Sequence, residues 1–305
     1  MPHSRPHRPF LAALWMAGSI VGFSLVAVAG RALSAQLDTY EVMFWRSAVG
    51  VLAVGAALVL TGRTAEVSPR RIDLHFLRNL IHFAGQNLWL FALGLIPLAQ
   101  LFALEFSYPI LVALAAPMVL GERLTPARML AAAIGFAGIL IVARPFGGAG
   151  LSLGLLAALA CALGFAGSAL ITKRLTRIVS IASILFWLTV MQAGMGLSCA
   201  AWDGSVAVPQ GEAILWVLVI GLAGLGAHLS LTTALSLAPA SVVTPIDFLR
   251  LPLIALVGMM LYEEPLDLWV LVGGAVIFAA NWINIRSEAL SAPQSVARLQ
   301  QIRKA

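Results

Sequence analysis

Two carboxylates stand where carboxylates are expensive. Glu105 lies inside ALEFSYPILVALAAP (103–117) and Asp247 inside VVTPIDFLRLPLIALVG (242–258), and neither stretch holds a second acid. An acid at the centre of a membrane helix costs about 2.5–3.5 kcal/mol on insertion scales. A chain with no task for it would do better with leucine. Three tasks fit such a group: holding a substrate amine, taking up a proton whose loss drives movement of another molecule, or neutralising a buried cation. Arg250 is three residues past Asp247, so the two share a helix face. It either neutralises Asp247 or presents a cation to an anionic substrate group, and the sequence leaves both readings open.

Other polar residues fall into the same pattern. His82, Gln86 and Trp89 recur at i, i+4 and i+7 and form one stripe. With His228 and Trp15 they could wall a pocket that hydrogen-bonds or stacks a polar metabolite. The plainer reading of each histidine is a hydrogen bond between helices. Arg46 sits about six residues into its apolar run and could reach the outer interface. Pro109, four residues after Glu105, removes the hydrogen bond that would go to the carbonyl of residue 105. Pro245 and Pro252 flank Asp247 and Arg250 in the same way. Irregular backbone at membrane depth is tolerated where it faces protein or a wet cavity.

The elements that must carry these groups follow from composition. The chain has 305 residues, 61% hydrophobic and 10% charged, with a mean hydropathy of +0.96. Soluble domains carry about 25% charged residues, so the solvent here is lipid. At about 20 apolar residues per crossing, ten spans are expected: 10–29, 42–61, 74–95, 98–119, 128–143, 151–172, 180–200, 213–235, 240–261 and 267–285. The run after MPHSRPHRPF is long for a signal core and is read as the first span. No zinc spacing, phosphate loop, HExxH or GxSxG motif occurs, so no cofactor, metal site or catalytic residue is expected. Cys161 and Cys199 read as small buried packing residues without a disulfide. Gly18–Gly22 and Gly221–Gly224 read as close-packing positions, and Asn281 and Asn284 as interfacial or helix-contact residues.

A shift of 142 residues brings the two halves into register without a gap. Phe44–Trp45 falls on Phe186–Trp187, Pro97 on Pro239, Glu122 on Glu264, Arg31 on Lys173, Gln86 on His228, Glu105 on Asp247 and Tyr108 on Arg250. Each half holds five spans. Five is odd, so the second half enters from the opposite side, giving inverted repeats with a site near the midplane. Glu105 and Asp247 are each seven residues into their spans, roughly 10 Å deep at 1.5 Å per residue, on either side of that plane.

Charge asymmetry orients the bundle. With the N-terminus inside, fifteen of the 19 Lys and Arg lie in inside segments, Arg78 among them. Only Arg31 and Arg144 lie outside, while Arg46 and Arg250 fall within spans. Both termini are then cytoplasmic. The net charge of +6 is thus a topology signal and calls for no nucleic-acid partner. The divisions expected are a segment 1–9, repeats 10–145 and 146–286, and a polar, frayed tail 287–305.

These residues resemble a known family. PLAQLFALEFSYPILVALAAPMVLGERLTPARMLAAAIGFAGILIVARP is similar to the end of the first EamA-type repeat of the drug/metabolite transporter superfamily. It has the P-L/A turn, a proline-broken fourth span, GE-R-L-T and a glycine-containing fifth span. FWRSAVG resembles that family's Arg-bearing second span. The second half departs, with EEPL in place of GERL and Leu188 where Arg46 would repeat. The resemblance spans roughly residues 10–285 and is weak for substrate. It implies an all-α integral membrane fold of ten helices in two inverted five-helix repeats, moving small metabolites by alternating access. It also implies a cavity lined by spans 1, 3, 4, 6, 8 and 9, on which Glu105, Asp247, Arg250, Gln86 and His228 fall. Glu122 belongs to the GE-R-L-T loop, with a structural role.

The reading drawn from sequence is an inner-membrane secondary transporter, not an enzyme, exporting a small polar or zwitterionic metabolite such as an amino-acid derivative or opine-type metallophore. The alternative is an importer of a vitamin or nucleoside-like metabolite of the riboflavin or S-adenosylmethionine kind. An integral-membrane enzyme or a non-transporting assembly protein is the alternative of another class. The substrate-binding set is Glu105, Asp247, Arg250, Gln86, His228, His82, Tyr108, Trp89 and Trp15, with Asp247 and Glu105 as proton-coupling candidates. The partners are a small molecule and the bilayer, with room for a homodimer.

Overall fold

The computed structural model describes residues 9–120, 125–144, 151–176, 178–237 and 246–302. Glu122, Pro239 and Pro245 lie outside the described residues. Every regular element among the described ones is helical: α1 (Pro9–Leu33), α2 (Thr39–Leu60), α3 (Ile72–Leu93), α4 (Leu98–Glu105), α5 (Tyr108–Leu120), α6 (Pro126–Ala143), α7 (Leu153–Leu175), α8 (Ile181–Ala200), α9 (Glu212–Leu237), α10 (Arg250–Tyr262) and α11 (Leu268–Ile302). Polar side chains mark the starts. Asp38 and Glu41 close a capping box on α2, and Thr125, Ser152 and Ser180 cap α6, α7 and α8.

Eight segments among the described residues are long and apolar enough to cross a membrane, rather than the ten expected. One of them is the continuous stretch Leu98–Ala115, made of α4 and the start of α5. Their outward faces carry exposed leucine, phenylalanine and methionine, as lipid contact requires. The two remaining helices fall short for different reasons. α3 carries Asp73, His75, Arg78, Asn79, His82, Gln86 and Asn87, and α10 is only 13 residues long. A further difference concerns the tail: the helical backbone of α11 continues to Ile302 instead of fraying after the last span.

The helix breaks obey the repeat. α4 ends at Glu105, residues 106–107 turn, and α5 starts at Tyr108; 142 residues on, 248–249 turn and α10 starts at Arg250. Ser107 N donates to Leu104 O and Leu249 N to Ile246 O, each at 3.0 Å. Pro109 has no N–H for the carbonyl of residue 105, and Ile110 N donates to Ser107 O at 3.0 Å instead of to Phe106 O. The Phe106 carbonyl accepts from Asn281 Nδ2 of α11 at 2.9 Å. That bond explains a buried asparagine near the end of the last span. Phe106 and Phe248, equivalent under the 142-residue shift, stack at 4.4 Å and 22°.

The major helix contacts are also exchanged or preserved by that shift. α1 packs on α9 and α3 on α7, an exchanged pair, while α2 packs on α8 and α6 on α11, each pair mapping onto itself. Close approach at these crossings depends on small residues. A Cβ on Gly22 would meet Ala227 at 2.8 Å, and one on Gly221 would meet Val49 at 2.7 Å, as the sequence pattern suggested. Gly224 has only ordinary contacts. At the α3–α7 crossing a Cβ on Gly164 would stand 2.9 Å from Gly85 Cα. Backbone atoms cannot yield as a flexible side chain does. Gly164→Val is therefore expected to destabilise by about 1–3 kcal/mol, read as a lower thermal aggregation midpoint in detergent; an unchanged midpoint would contradict this packing.

Cys161 is buried as expected, its thiol 3.0 Å from Ala158 O, whereas Cys199 is exposed on α8. An apolar run suggests burial on all sides. In lipid, the outer side of such a helix is not buried by protein.

Candidate functional site

A cavity of about 460 Å³ runs through the middle of the bundle. Eight of the nine substrate-binding candidates line it: Glu105, Asp247, Arg250, Gln86, His228, His82, Tyr108 and Trp89. Trp15 does not; it packs against Ala12, Met16 and Ala234 in a separate apolar cluster. A tryptophan near a span end is a poor guide to a pocket, because such rings also fill gaps between helices.

At the centre, the broken helices bring the acids to one cation. Arg250 Nη2 lies 3.5 Å from Glu105 Oε1 and 3.4 Å from Asp247 Oδ2. The guanidinium carbon sits 4.8 Å, 5.1 Å and 4.8 Å from the ring centroids of Phe23, Phe102 and Phe106. Trp89 Nε1 donates to the other Glu105 oxygen at 2.8 Å. The sequence leaves open whether Arg250 pairs with Asp247 or faces a substrate; it pairs with both acids and faces the cavity. Charge-assisted N–H···O bonds are normally about 2.7–2.9 Å, so this pairing is loose. Asp247 Oδ1 and Arg250 Nε are buried without a protein partner. Two helix starts, at Tyr108 and Arg250, meet here because the chain turns at 106–107 and 248–249.

One wall is the polar stripe of α3. His82 lies beside Phe165, with its Nδ1 3.4 Å from Ser168 Oγ, and Gln86 lines the cavity one turn on. Opposite, His228 meets the edge of Phe23 at 5.1 Å. Arg46 does not snorkel to an interface. It lines the cavity and donates to Gln192 Oε1 at 3.4 Å.

Two further groups escape a reading of the sequence. Arg78 counts there among the cytoplasmic charges, yet it is 7% exposed and lines the cavity, bonded to Thr172 Oγ1 at 3.1 Å and Asn79 Oδ1 at 2.8 Å. The signal is present: Arg78 extends the His82–Gln86–Trp89 stripe back by one turn. Gln192 also lines the cavity. It stands one turn past Leu188, the repeat equivalent of Arg46, but a lone amide in an apolar run carries no direction.

The cavity is closed at one end. Its lining runs from exposed Lys173 and Thr176 to buried Trp89 and Phe102. Beyond the buried end, Arg31 pairs with Glu264, donates to Leu93 O at 2.9 Å and Ile96 O at 2.8 Å, and sits over the Tyr262 ring at 4.9 Å. Glu264 also accepts from Leu98 N at 2.8 Å. One ion pair thus ties the ends of α1, α3 and α10 to the start of α4.

The EamA-like transporter family model matches this chain twice, at residues 10–144 and 152–286. Named relatives agree in extent. A "Riboflavin transporter" of Rhizobium johnstonii is 32% identical over 289 residues, 93% of each chain. One from Vibrio cholerae is 27% identical, over 90% of this chain and 95% of the relative. An "S-adenosylmethionine uptake transporter" of Rickettsia prowazekii is 25% identical, over 91% of this chain and 93% of the relative. A solved crystal structure superposes with a TM-score of 0.63 at 21% identity, covering 90% of this chain and 96% of that one, and supports the fold alone. With the family model matched in both halves, eight segments among the described residues long and apolar enough to cross a membrane and a central cavity that several charged and hydrogen-bonding side chains line, the chain belongs to the EamA-like transporter family: it is a multi-pass membrane transporter of small molecules, not an enzyme.

Proposed function

We propose that this chain is an inner-membrane uptake transporter for a vitamin or nucleoside-like metabolite of the riboflavin or S-adenosylmethionine kind. The observation that carries this reading is a one-ended cavity, walled by aromatic rings and hydrogen-bonding groups, in a chain matched over 93% of its length by a riboflavin transporter. Export of an amino-acid derivative or metallophore gives way to uptake, because the Rickettsia relative is named an uptake transporter.

Ten crossings belong to this reading. α3 is polar because it faces the cavity rather than lipid, and α10 is the described part of the ninth span. The repeats are then inverted, with both termini cytoplasmic and the Arg31–Glu264 end outside. The mechanism is alternating access: the bundle closes at Arg31–Glu264 while the Lys173–Thr176 end is open, then reverses. A substrate acceptor that engages Arg250 draws it from Glu105 and Asp247, whose release to a proton couples the two movements. The cavity walls come from one chain, so the reading does not need a homodimer.

The test is flux. Proteoliposomes holding the purified chain should accumulate labelled riboflavin or S-adenosylmethionine faster than empty liposomes, with uptake rising under an inward proton gradient. Absence of flux for both compounds in either direction would remove this reading.

A further inference from the structure

Within that transport reading, a second feature of the cavity bears on which of the two substrate kinds it takes. Both carboxylates of the lining are committed to Arg250. Arg46 and Arg78 line the same space, and neither has a carboxylate within ion-pair distance among the described residues. Their partners are neutral: Gln192 for Arg46, Thr172 and Asn79 for Arg78. Burying a guanidinium without a counter-charge is costly, and replacing either by a neutral residue would relieve that cost. The His82 and His228 rings line the same space. Among the lining groups are two buried nitrogens with no protein partner, Nε2 of Gln192 (1% exposed) and Nε2 of His82 (6% exposed). The guanidinium N–H groups of Arg46 and Arg78 and the amide N–H of Gln192 therefore give this part of the cavity an excess of donors, while His82 Nε2 donates or accepts according to its tautomer.

The other half differs in sign. Along α3, Arg78 and Trp89 are eleven residues apart, about 16 Å at 1.5 Å per residue. Trp89 is the end that holds Glu105. The acids thus sit at the blind end, already answered by Arg250, and Arg78 lies towards the open end.

We propose that Arg46 and Arg78 form a subsite for an anionic or carbonyl-rich edge of the substrate, and that the cavity admits neutral, acceptor-rich or anionic molecules while excluding cations. A planar ring bearing paired carbonyls, or a phosphate, matches a guanidinium fork. A sulfonium or quaternary ammonium finds like charge at the entrance and both acids occupied. The riboflavin kind is selected and the S-adenosylmethionine kind rejected.

The test measures the charge preference without needing a substrate. In a Cys161→Ser/Cys199→Ser background, Ala169→Cys places a thiol in the cavity wall. Its reaction rates with a sulfonate-bearing and a trimethylammonium-bearing methanethiosulfonate are compared, normalised to the same ratio on a free small thiol. Taking the ratio of two reagents on one thiol cancels any effect of the arginines on that thiol, and normalisation cancels the reagents' own difference in reactivity. The anionic reagent should be favoured at least about tenfold, within the enrichment that a charged cleft gives. The preference should vanish in Arg46→Gln/Arg78→Gln and persist in Arg46→Lys/Arg78→Lys, which shows that the cavity is still formed. Equilibrium binding supplies the second arm: riboflavin and riboflavin 5′-phosphate should bind at least tenfold tighter than S-adenosylmethionine, with the gap closing in the Gln variant. A normalised ratio of one or below, a ratio unmoved by the Gln variant, or S-adenosylmethionine bound as tightly as riboflavin overturns the proposal. If neither compound binds or moves, the uptake reading fails and the thiol ratio alone decides the charge preference.

Discussion

Arg250→Leu abolishes substrate flux and lowers stability by about 3–5 kcal/mol, the cost of removing one partner from a buried charge pair. The reason is what remains. Glu105 and Asp247 are each 8% exposed, and their cation is Arg250 in both cases. Attraction of the guanidinium to each of its three phenylalanine rings is worth about 0.5–2 kcal/mol, but leucine packs against the same rings and recovers part of that. Stranded charge, rather than the weaker packing on the rings, sets the size of the effect. The triple variant Arg250→Leu/Glu105→Gln/Asp247→Asn separates the two. It should regain most of the thermal stability, since no unpaired charge is left, and still carry no substrate. A single variant that transports normally, or a triple variant as unstable as the single one, would remove the triad from the centre of the mechanism. Asp247→Asn alone should insert normally and lose proton-driven accumulation.

The second large effect is expected at the closed end. Glu264→Ala leaves Arg31 without its carboxylate and Leu98 N without its acceptor. Truncating one member of a hydrogen-bonded charge pair with restricted solvent access costs about 2–5 kcal/mol. With side chains 17% and 14% exposed, the low end applies. About 2 kcal/mol taken from the state closed at Arg31 shifts the balance between the two states roughly thirtyfold, at 1.36 kcal/mol per factor of ten. Val26, 5% exposed, lines the blind end of the cavity. A Val26→Cys reporter should resist an impermeant maleimide applied from the Arg31 side in the parent protein. It should label readily in the Glu264→Ala variant, while uptake falls. Unchanged labelling would mean that the pair braces the loops without holding the passage shut. Right-side-out and inverted vesicles run in parallel also report which side Arg31 faces, and hence the orientation of the termini.

Much of the site is legible in the sequence because a membrane makes polar residues informative. Lipid penalises every charge, so Glu105, Asp247 and Arg250 stand out from a sequence that is otherwise mostly apolar, and the stripe on α3 marks a face by its period alone. Arg78 misleads because a charge near a span end has two destinations, the headgroup region or the bundle interior. A single chain does not say which way the side chain turns. Trp15 and Cys199 mislead for a related reason: in lipid an apolar helix is not buried all round, so neither hydropathy nor aromatic character fixes a facing direction.

The sequence by itself determined that the chain lives in lipid, that its halves repeat at 142 residues, and that the acids at 105 and 247 are equivalent. These follow from composition and register, which need no third dimension. Only the tertiary structure decided that both acids share one arginine, that Phe106 stacks on Phe248 beside them, and that Arg46 and Arg78 face the same space. Those are distances between helices far apart in the chain. They are set by how glycine-rich crossings let backbones approach and by where each helix breaks.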